Sequence, residues 1–241
     1  MKPERDAYGQ EIWNCYKGNT TFELIERDDG LIDLGSAEPY FREHKDWPVH
    51  EREAIEFAHG MVLDIGCGAG RVALHLQQKG YKVLAIDNSP LAIKVAKLRG
   101  VRNPRILQIR SIRTLTGPFD TIVLYGNNFG LFGGMAPARR LLKAMHRITS
   151  EDATIIASAT DPYQTNDPAH LAYQARNRKR GRMGGQIRMR VRYRQYRGDW
   201  FDYLLASPAE VRRIVAKTGW RIRTIVKSPG PAYVVILRKT C

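Results

Sequence analysis

Three stretches of this chain carry residues whose types and spacing can do chemistry. The first is Val62-Leu63-Asp64-Ile65-Gly66-Cys67-Gly68-Ala69-Gly70, with a second acid, Asp87, further along. Glycine lets a backbone turn tightly and lets a ligand lie against it without meeting a Cβ. Asp64 ends a short apolar run, at the strand end where open α/β sheets bind ligands. Asp87 follows the glycines by about 20 residues, the spacing at which an acid accepts hydrogen bonds from ribose hydroxyls. The group suits a nucleoside-bearing ligand. A dinucleotide fingerprint would need its third glycine where Arg71 stands.

The second stretch is Leu124-Tyr125-Gly126-Asn127-Asn128-Phe129-Gly130-Leu131-Phe132-Gly133-Gly134. Its glycines allow close approach, and its asparagines and aromatics can bond and stack on a flat polar ring. The same asparagines could instead bond backbone groups in a turn. The third is the basic arm. Residues 169 to 198 hold no acid and ten basic residues, among them Arg178, Lys179, Arg180, Arg188, Arg190, Arg192 and Arg194. The last four recur at period two, so a strand would place them on one face. Like charges so placed call for a counter-charge. A phosphate backbone would supply it, and so would acids across a sheet.

These positions need elements to hold them. The pattern predicts strands over 61–65, 81–86, 105–109, 119–125 and 153–159, alternating with helices over 71–79, 89–99 and 137–148. Ser89 is the expected N-cap and Pro90 the first helical residue of the second helix. Such alternation implies a parallel sheet covered on both faces. Residues 187–194 alternate as a strand does. A helix over 208–217 and strands over 221–226 and 232–237 follow, the last two separated by Pro229-Gly230-Pro231. Pro48 is expected in the first turn of a helix running to His59. The fold expected is α/β, a Rossmann-like sheet of about seven strands with helices on both faces. The expected division is a helical, aromatic-anchored lid region over 1–58 and a main domain over 59–241, with a basic insert after strand five at about 161–198.

Asp64, the glycine turn and Asp87 together resemble the donor site of class I S-adenosylmethionine-dependent methyltransferases, over roughly Val62 to Leu237. The resemblance implies that Asp64, Gly66, Gly68 and Gly70 cradle the amino-acid end of S-adenosylmethionine. It implies that Asp87 bonds the ribose, that Asn88 lies along the adenosine and that Ile112 packs on the adenine. Ser111 stands where that family often has an acid for the adenine amino group. The product would be S-adenosylhomocysteine, and no metal is needed. Amino-methyltransferases of adenine or cytosine often carry Asn/Asp-Pro-Pro-aromatic after strand four. Asn127, Asn128 and Phe129 stand there without the prolines and would hold the acceptor base, Phe129 by stacking. The loop and the basic insert are similar to an archaeal and bacterial subgroup linked to N4-methylation of cytidine in ribosomal RNA.

Composition bounds the rest. Lys and Arg number 39 against 24 acids, a formal charge of +15. That is the footprint of a nucleic-acid binder, although basic charge also serves solubility. Cys15, Cys67 and Cys241 are odd in number and form no C-x-x-C pair, which argues against a disulfide framework or a zinc site. No apolar run reaches the roughly 18 residues of a membrane span, and the charged start does not read as a secretory signal. A cytoplasmic place is therefore expected. The readings open at this point are an enzyme that methylates a base in ribosomal RNA, bound by the basic arm, an enzyme for a small N- or O-acceptor under an aromatic lid, and a non-catalytic RNA-binding protein on a vestigial donor fold.

Overall fold

The computed structural model describes residues 2–240; Met1 and Cys241 lie outside the described residues. The N-terminal region holds α1 (Ala7–Tyr16), the strands β1 (Glu23–Arg27) and β2 (Ile32–Gly35), and α2 (Val49–Ile55). Then follow β3 (Met61–Ile65), α3 (Arg71–Gln78), β4 (Lys82–Asp87), α4 (Pro90–Leu98), β5 (Pro104–Ile106) and β6 (Phe119–Leu124). The chain continues through α5 (Met135–Arg147), β7 (Thr149–Thr160), α6 (Pro168–Lys179), β8 (Gln186–Tyr193), β9 (Tyr196–Arg197) and β10 (Phe201–Leu204). It ends in α7 (Pro208–Val215), β11 (Trp220–Lys227) and β12 (Ala232–Lys239).

Short apolar strands assemble a seven-stranded sheet in the order β11-β12-β7-β6-β3-β4-β5. β3 to β7 run parallel, while β12 is antiparallel to both β7 and β11. Val62, Leu63, Val234, Val235, Ile236 and Leu237 have no exposed surface, as expected where both faces are covered. One face is covered by α5 and α7, through Leu142, Met145 and Ile214. The other is covered by α2, α3 and α4, through Ile55, Leu76 and Ile93. Ser89 accepts the Ala92 N–H at 3.0 Å as N-cap of α4, as its sequence position implies. Pro48 lies one residue outside α2 as its N-cap, and the helix closes at Ile55.

Strand order reverses beside β3, which pairs with β4 on one side and β6 on the other. The carboxyl ends of β3 and β6 border the crevice where such sheets hold ligands.

A second sheet stands over that crevice. Its strands run β10-β8-β1-β2, with β9 paired to β8. Besides its helices, the N-terminal region thus carries a hairpin, turned at Asp28-Asp29-Gly30 with Gly30 at φ +92°. The hairpin joins the basic insert antiparallel, Glu26 opposite Arg190 and Leu24 opposite Arg192. Two segments far apart in sequence therefore share one lid sheet. Its inner face bears Glu23, Ile25 and Arg27; Glu26 and the arginines lie on the outer face.

Candidate functional site

The glycine turn leaves β3 with Gly66 at φ +72°, Gly68 at +53° and Gly70 at +83°. These are left-handed conformations that favour glycine. A Cβ at Gly70 would also stand 2.5 Å from Val101, so that glycine lets α3 pack against its neighbours. Asp87 ends β4 and folds back on the turn. Its carboxylate accepts the Gly68 N–H at 3.0 Å and the Ser89 N–H at 2.9 Å. Burial raises its pKa, and those two N–H groups oppose the rise. Asp64 is 2 % exposed, and one carboxylate oxygen has no hydrogen-bond partner. Burial pushes its carboxyl up to about 7, with nearby Arg71 pulling it down and Asp87 adding to the rise. An unpartnered buried carboxylate oxygen calls for a cationic or hydrogen-bonding partner.

Asn88 is exposed beside Asp87, and Ser111 is half-buried in the short 3-10 helix Ile109–Thr114. Ile112 does not offer a face to a ligand. It has no exposed surface and packs in the main core, because the 3-10 turn points it into the sheet.

An aromatic lid with Tyr40 and Trp47 in its wall was expected from the sequence; Asp6, Tyr8, Glu51 and Arg71, which close this crevice with them, were not. Asp6 caps α1 through the Gly9 N–H at 3.0 Å and accepts the Ser89 hydroxyl at 2.9 Å, pinning α1 to the start of α4. That brings Tyr8 and Tyr40 over Gly68, and Tyr40 over Gly126 as well. The two rings meet edge to face at 5.4 Å. Beside them, Arg71 pairs with Glu51 at 2.8 Å, both nearly buried, and stacks over Trp47. Tyr40, Arg42, Glu51, Arg71 and Gly126 border a cavity of about 190 Å³. Arg71 follows the glycines directly, and that adjacency was the signal available.

The loop after β6 divides its residues differently from the expectation. Asn127 sits at φ +63°. Its N–H donates to Ser158 Oγ at 2.7 Å, its carbonyl accepts the Tyr203 hydroxyl, and its side-chain oxygen accepts from Thr160 Oγ1 at 3.3 Å. Asn128 spends both amide hydrogens on the carbonyls of Ile65 and Gly66, at 3.1 and 3.0 Å, so it staples the loop to the glycine turn. Phe129 corrects the stacking expectation. It has no exposed surface and packs edge to face on Phe132 at 4.8 Å. Burying such a ring contributes about 1.5–3 kcal/mol to stability, and no face is left for a base.

Beneath the lid sheet lies a larger cavity of about 290 Å³. Ile25, Arg27, Thr160, Asp161, His170 and Tyr173 are among its walls. Thr160 links it to Asn127. Arg27 is held by Asp29 at 2.7 Å, approaches His170 Nδ1 at 3.0 Å and stacks on Tyr173.

The arginine stripe is real but partly neutralised. Arg190 forks onto Glu26 at 2.9 and 2.8 Å, and Arg192 reaches the same carboxylate at 3.3 Å. Arg182 and Arg188 share Asp202 at 3.1 and 3.7 Å. Four guanidinium groups thus meet two carboxylates, leaving two net charges on this group. Arg194 leaves the strand in a left-handed turn at φ +51°. Arg178, Lys179 and Arg180 are exposed.

Behind Tyr40, Glu11 and Glu23 are buried, at 0 and 4 % exposure, and each keeps one oxygen without a partner. Burial and the neighbouring Glu11 push the Glu23 carboxyl up to about 9. The folded chain therefore keeps a proton that the unfolded chain gives up near the ordinary value of 4.5. The contribution of this group to stability is then greatest at low pH and declines as pH rises between those two values. Glu23→Gln, which removes the charge, is expected to melt higher than the parent at pH 8–9 and nearly equal to it at pH 5. Melting curves across that range check this; a gap that does not widen with pH would refute it.

Residues 62–152 match the family described as methyltransferase domain. The crystal structure of an S-adenosylmethionine-dependent methyltransferase from Bacteroides fragilis, in complex with S-adenosylhomocysteine, superposes with a TM-score of 0.86 at 27 % identity. The superposition covers 100 % of this chain and 98 % of that one. The 2-heptyl-1-hydroxyquinolin-4(1H)-one methyltransferase of Mycobacteroides abscessus is 37 % identical over 71 residues, 27 % of this chain and 31 % of the relative. Ribosomal RNA small subunit methyltransferase C of Idiomarina loihiensis is 28 % identical over 113 residues, 45 % of this chain and 33 % of the relative. The chain thus matches about a third of the length of these curated relatives. The fold is that of class I S-adenosylmethionine-dependent methyltransferases, and residues 62–152 match a methyltransferase domain within it. Among the described residues no helix is long and apolar enough to cross a membrane.

Proposed function

We propose that this protein transfers a methyl group from S-adenosylmethionine to an exocyclic amine of a base in RNA, with cytidine N4 in ribosomal RNA as the favoured acceptor. The observation that carries this reading is the cavity of about 290 Å³ whose wall residue Thr160 bonds Asn127, with Arg27 in its lining and Arg178 against its edge. It is at the small end of ligand pockets, which run from about 300 Å³ upward, so it suits one ring rather than a polycyclic acceptor. Gly184 lines it, and the Arg178 guanidinium lies against Gly184, 3.0 Å from where its Cβ would stand. Lys179 and Arg180, next in the chain, are exposed. A ring inside and phosphates outside describe a nucleotide drawn out of its strand.

S-adenosylmethionine supplies, when bound, a methyl group on an electrophilic sulfonium. The chain supplies the alignment and the dry surroundings. Asp64 offers its unpartnered oxygen to the ammonium of the donor's amino-acid end, and Asp87 stands ready for the ribose. Gly68 adds no side chain of its own to the floor, while Gly66 and Gly70 let the turn pack tightly against Asn128 and Val101. Tyr8 and Tyr40 lie on Gly68, so they must give way for the donor to enter and then cover it. Asn127 offers an amide oxygen to the acceptor amine. Asp161, on the cavity wall, is placed to accept the proton the amine releases.

This role for Asp64 has a pH signature. The ionised carboxylate is the form that attracts a cation, and in the free protein it gains its proton near pH 7. Donor affinity is expected to fall by up to about tenfold per pH unit below 7. It should level off above 7. Titration of S-adenosylhomocysteine between pH 5.5 and 8 checks this, since that product keeps the ammonium. A flat profile would remove Asp64 from the donor site.

A second reading has its own support. Glu26 already occupies Arg190 and Arg192, and the lid sheet roofs the cavity, as an enzyme for a small acceptor would require. Incubation with labelled S-adenosylmethionine and unmodified RNA or assembled ribosomal subunits, followed by nucleoside mass spectrometry, separates the two. Label in a methylated cytidine supports the RNA reading. Intact donor binding without label in any RNA shifts the acceptor to a small molecule.

A further inference from the structure

His44, Glu56 and His75 come together from three segments, although nothing in the donor or acceptor sites uses them. His44 starts the 3-10 helix His44–Asp46 in the strap that leads from Tyr40 to Trp47. Glu56 is the C-cap residue of α2, and His75 lies in α3. Ligand atoms from all three lie within 4.8 Å of one another. The two imidazoles stack with centroids 4.0 Å apart and planes 8° apart. The Trp47 ring stands edge-on to both, at 5.1 and 5.3 Å. The Nε2 atom of each histidine is buried and has no hydrogen-bond partner. One such orphaned nitrogen costs free energy; two at one spot, beside a carboxylate, call for a shared partner.

We propose that His44, Glu56 and His75 form a site for one divalent transition metal ion, zinc by its donor set, which ties the N-terminal strap to α3. Two imidazole nitrogens and one carboxylate oxygen suit zinc or cobalt, with an open position for water. They do not suit calcium or magnesium, which prefer all-oxygen sets. Metal binding requires neutral imidazole. Burial lowers the pKa of both rings, helped by the nearby Lys79 ammonium, and brings His75 down to about 4. Lys79 Nζ donates to Glu56 at 2.6 Å and is the cation that the metal would displace. The parallel rings set their nitrogens side by side, so one ring turns about its Cβ–Cγ bond to close on the ion.

The site has a consequence for the crevice. Tyr40, at the near end of the strap, lies over Gly68 and Gly126. An ion holding His44 to α3 fixes the strap and so steadies the aromatic cover of the donor crevice.

The test uses the full-length, tag-free protein and Co²⁺, whose visible bands report tetrahedral coordination. Titration is expected to saturate at one equivalent, Zn²⁺ to bleach the bands, and Zn²⁺ to raise the melting temperature of the parent. Glu56→Gln, a change at an exposed residue, and His44→Gln should each abolish the bands. Lys79→Met, which frees Glu56, should strengthen binding several-fold. The proposal is overturned if Co²⁺ gives no saturable band, or if the band survives both ligand changes. A Lys79→Met variant that binds no more tightly than the parent would likewise exclude Glu56 as a ligand and sink the three-residue site.

Discussion

Asp87→Ala is expected to weaken donor binding by roughly two orders of magnitude and to lower the melting temperature as well. Two effects of one carboxylate combine. In the free protein it accepts N–H groups from Gly68 and Ser89 at 3.0 and 2.9 Å, in a place with 6 % exposure. Alanine leaves both donors unpaired, at about 1–3 kcal/mol for a buried group. The Gly68 N–H belongs to the turn that forms the floor of the crevice, so its loss loosens the floor. The second effect is direct. A charge-assisted hydrogen bond to a ribose hydroxyl contributes about 1.5–3 kcal/mol, and the two effects together reach the expected loss. Asp87→Asn separates them, because it keeps an acceptor oxygen for one N–H while removing the charge. Calorimetric titration with S-adenosylhomocysteine, alongside melting curves, measures both. Unchanged affinity in a folded Asp87→Ala protein would show that the donor lies elsewhere.

The place of Asp87, at the end of β4 and against the glycine turn, was legible because the signal is local: an acid at the end of an apolar strand, at a fixed distance from a glycine turn. The same holds for the central sheet. β3, β4 and β6 are short apolar runs closed by a turn or cap, and Ser89-Pro90 announces α4. Phe129 shows where local reading fails. Asn128–Phe132 is a 3-10 helix, in which residues three apart eclipse one another. Phe129 and Phe132 therefore point the same way, into the core, and their spacing was the available warning. The hairpin of the lid sheet also left a trace. Asp29-Gly30 between Glu23-Leu24-Ile25-Glu26-Arg27 and Ile32-Asp33-Leu34 is a strong hairpin signal, although the region was expected to be helical. The pairing of that hairpin with β8 is a different matter. Glu26 and Arg190 lie 164 residues apart, and no periodicity names a partner at that range. The arginine stripe itself was visible in the sequence, but its counter-charge was not. The gathering of His44, Glu56 and His75 is equally non-local, since it depends on how the strap crosses α3.

Asn127 carries the second large effect. Asn127→Gly is expected to lower turnover by roughly 10²-fold, the low end of what a positioned proton-handling group contributes, with donor affinity unchanged. Glycine is the informative substitution because the residue sits at φ +63°, where alanine would be strained and glycine is at ease. The backbone bonds that position the loop, from its N–H to Ser158 and from Tyr203 to its carbonyl, survive the change. Only the side-chain amide is lost, and with it the Thr160 contact at the cavity wall. An exocyclic amine is a weak nucleophile because its lone pair is shared with the ring. An oxygen that accepts its hydrogens localises that pair, which raises the rate of attack more than it strengthens binding, so kcat should fall further than KM rises. Asn127→Asp keeps an acceptor oxygen and should retain more turnover than Asn127→Gly. Asn128→Ala offers the contrast. Its amide hydrogens bond the carbonyls of Ile65 and Gly66, so its loss should loosen the glycine turn and weaken donor binding first. Normal turnover in Asn127→Gly, measured with saturating donor, would take Asn127 out of the reaction and leave the loop a purely structural part of the crevice.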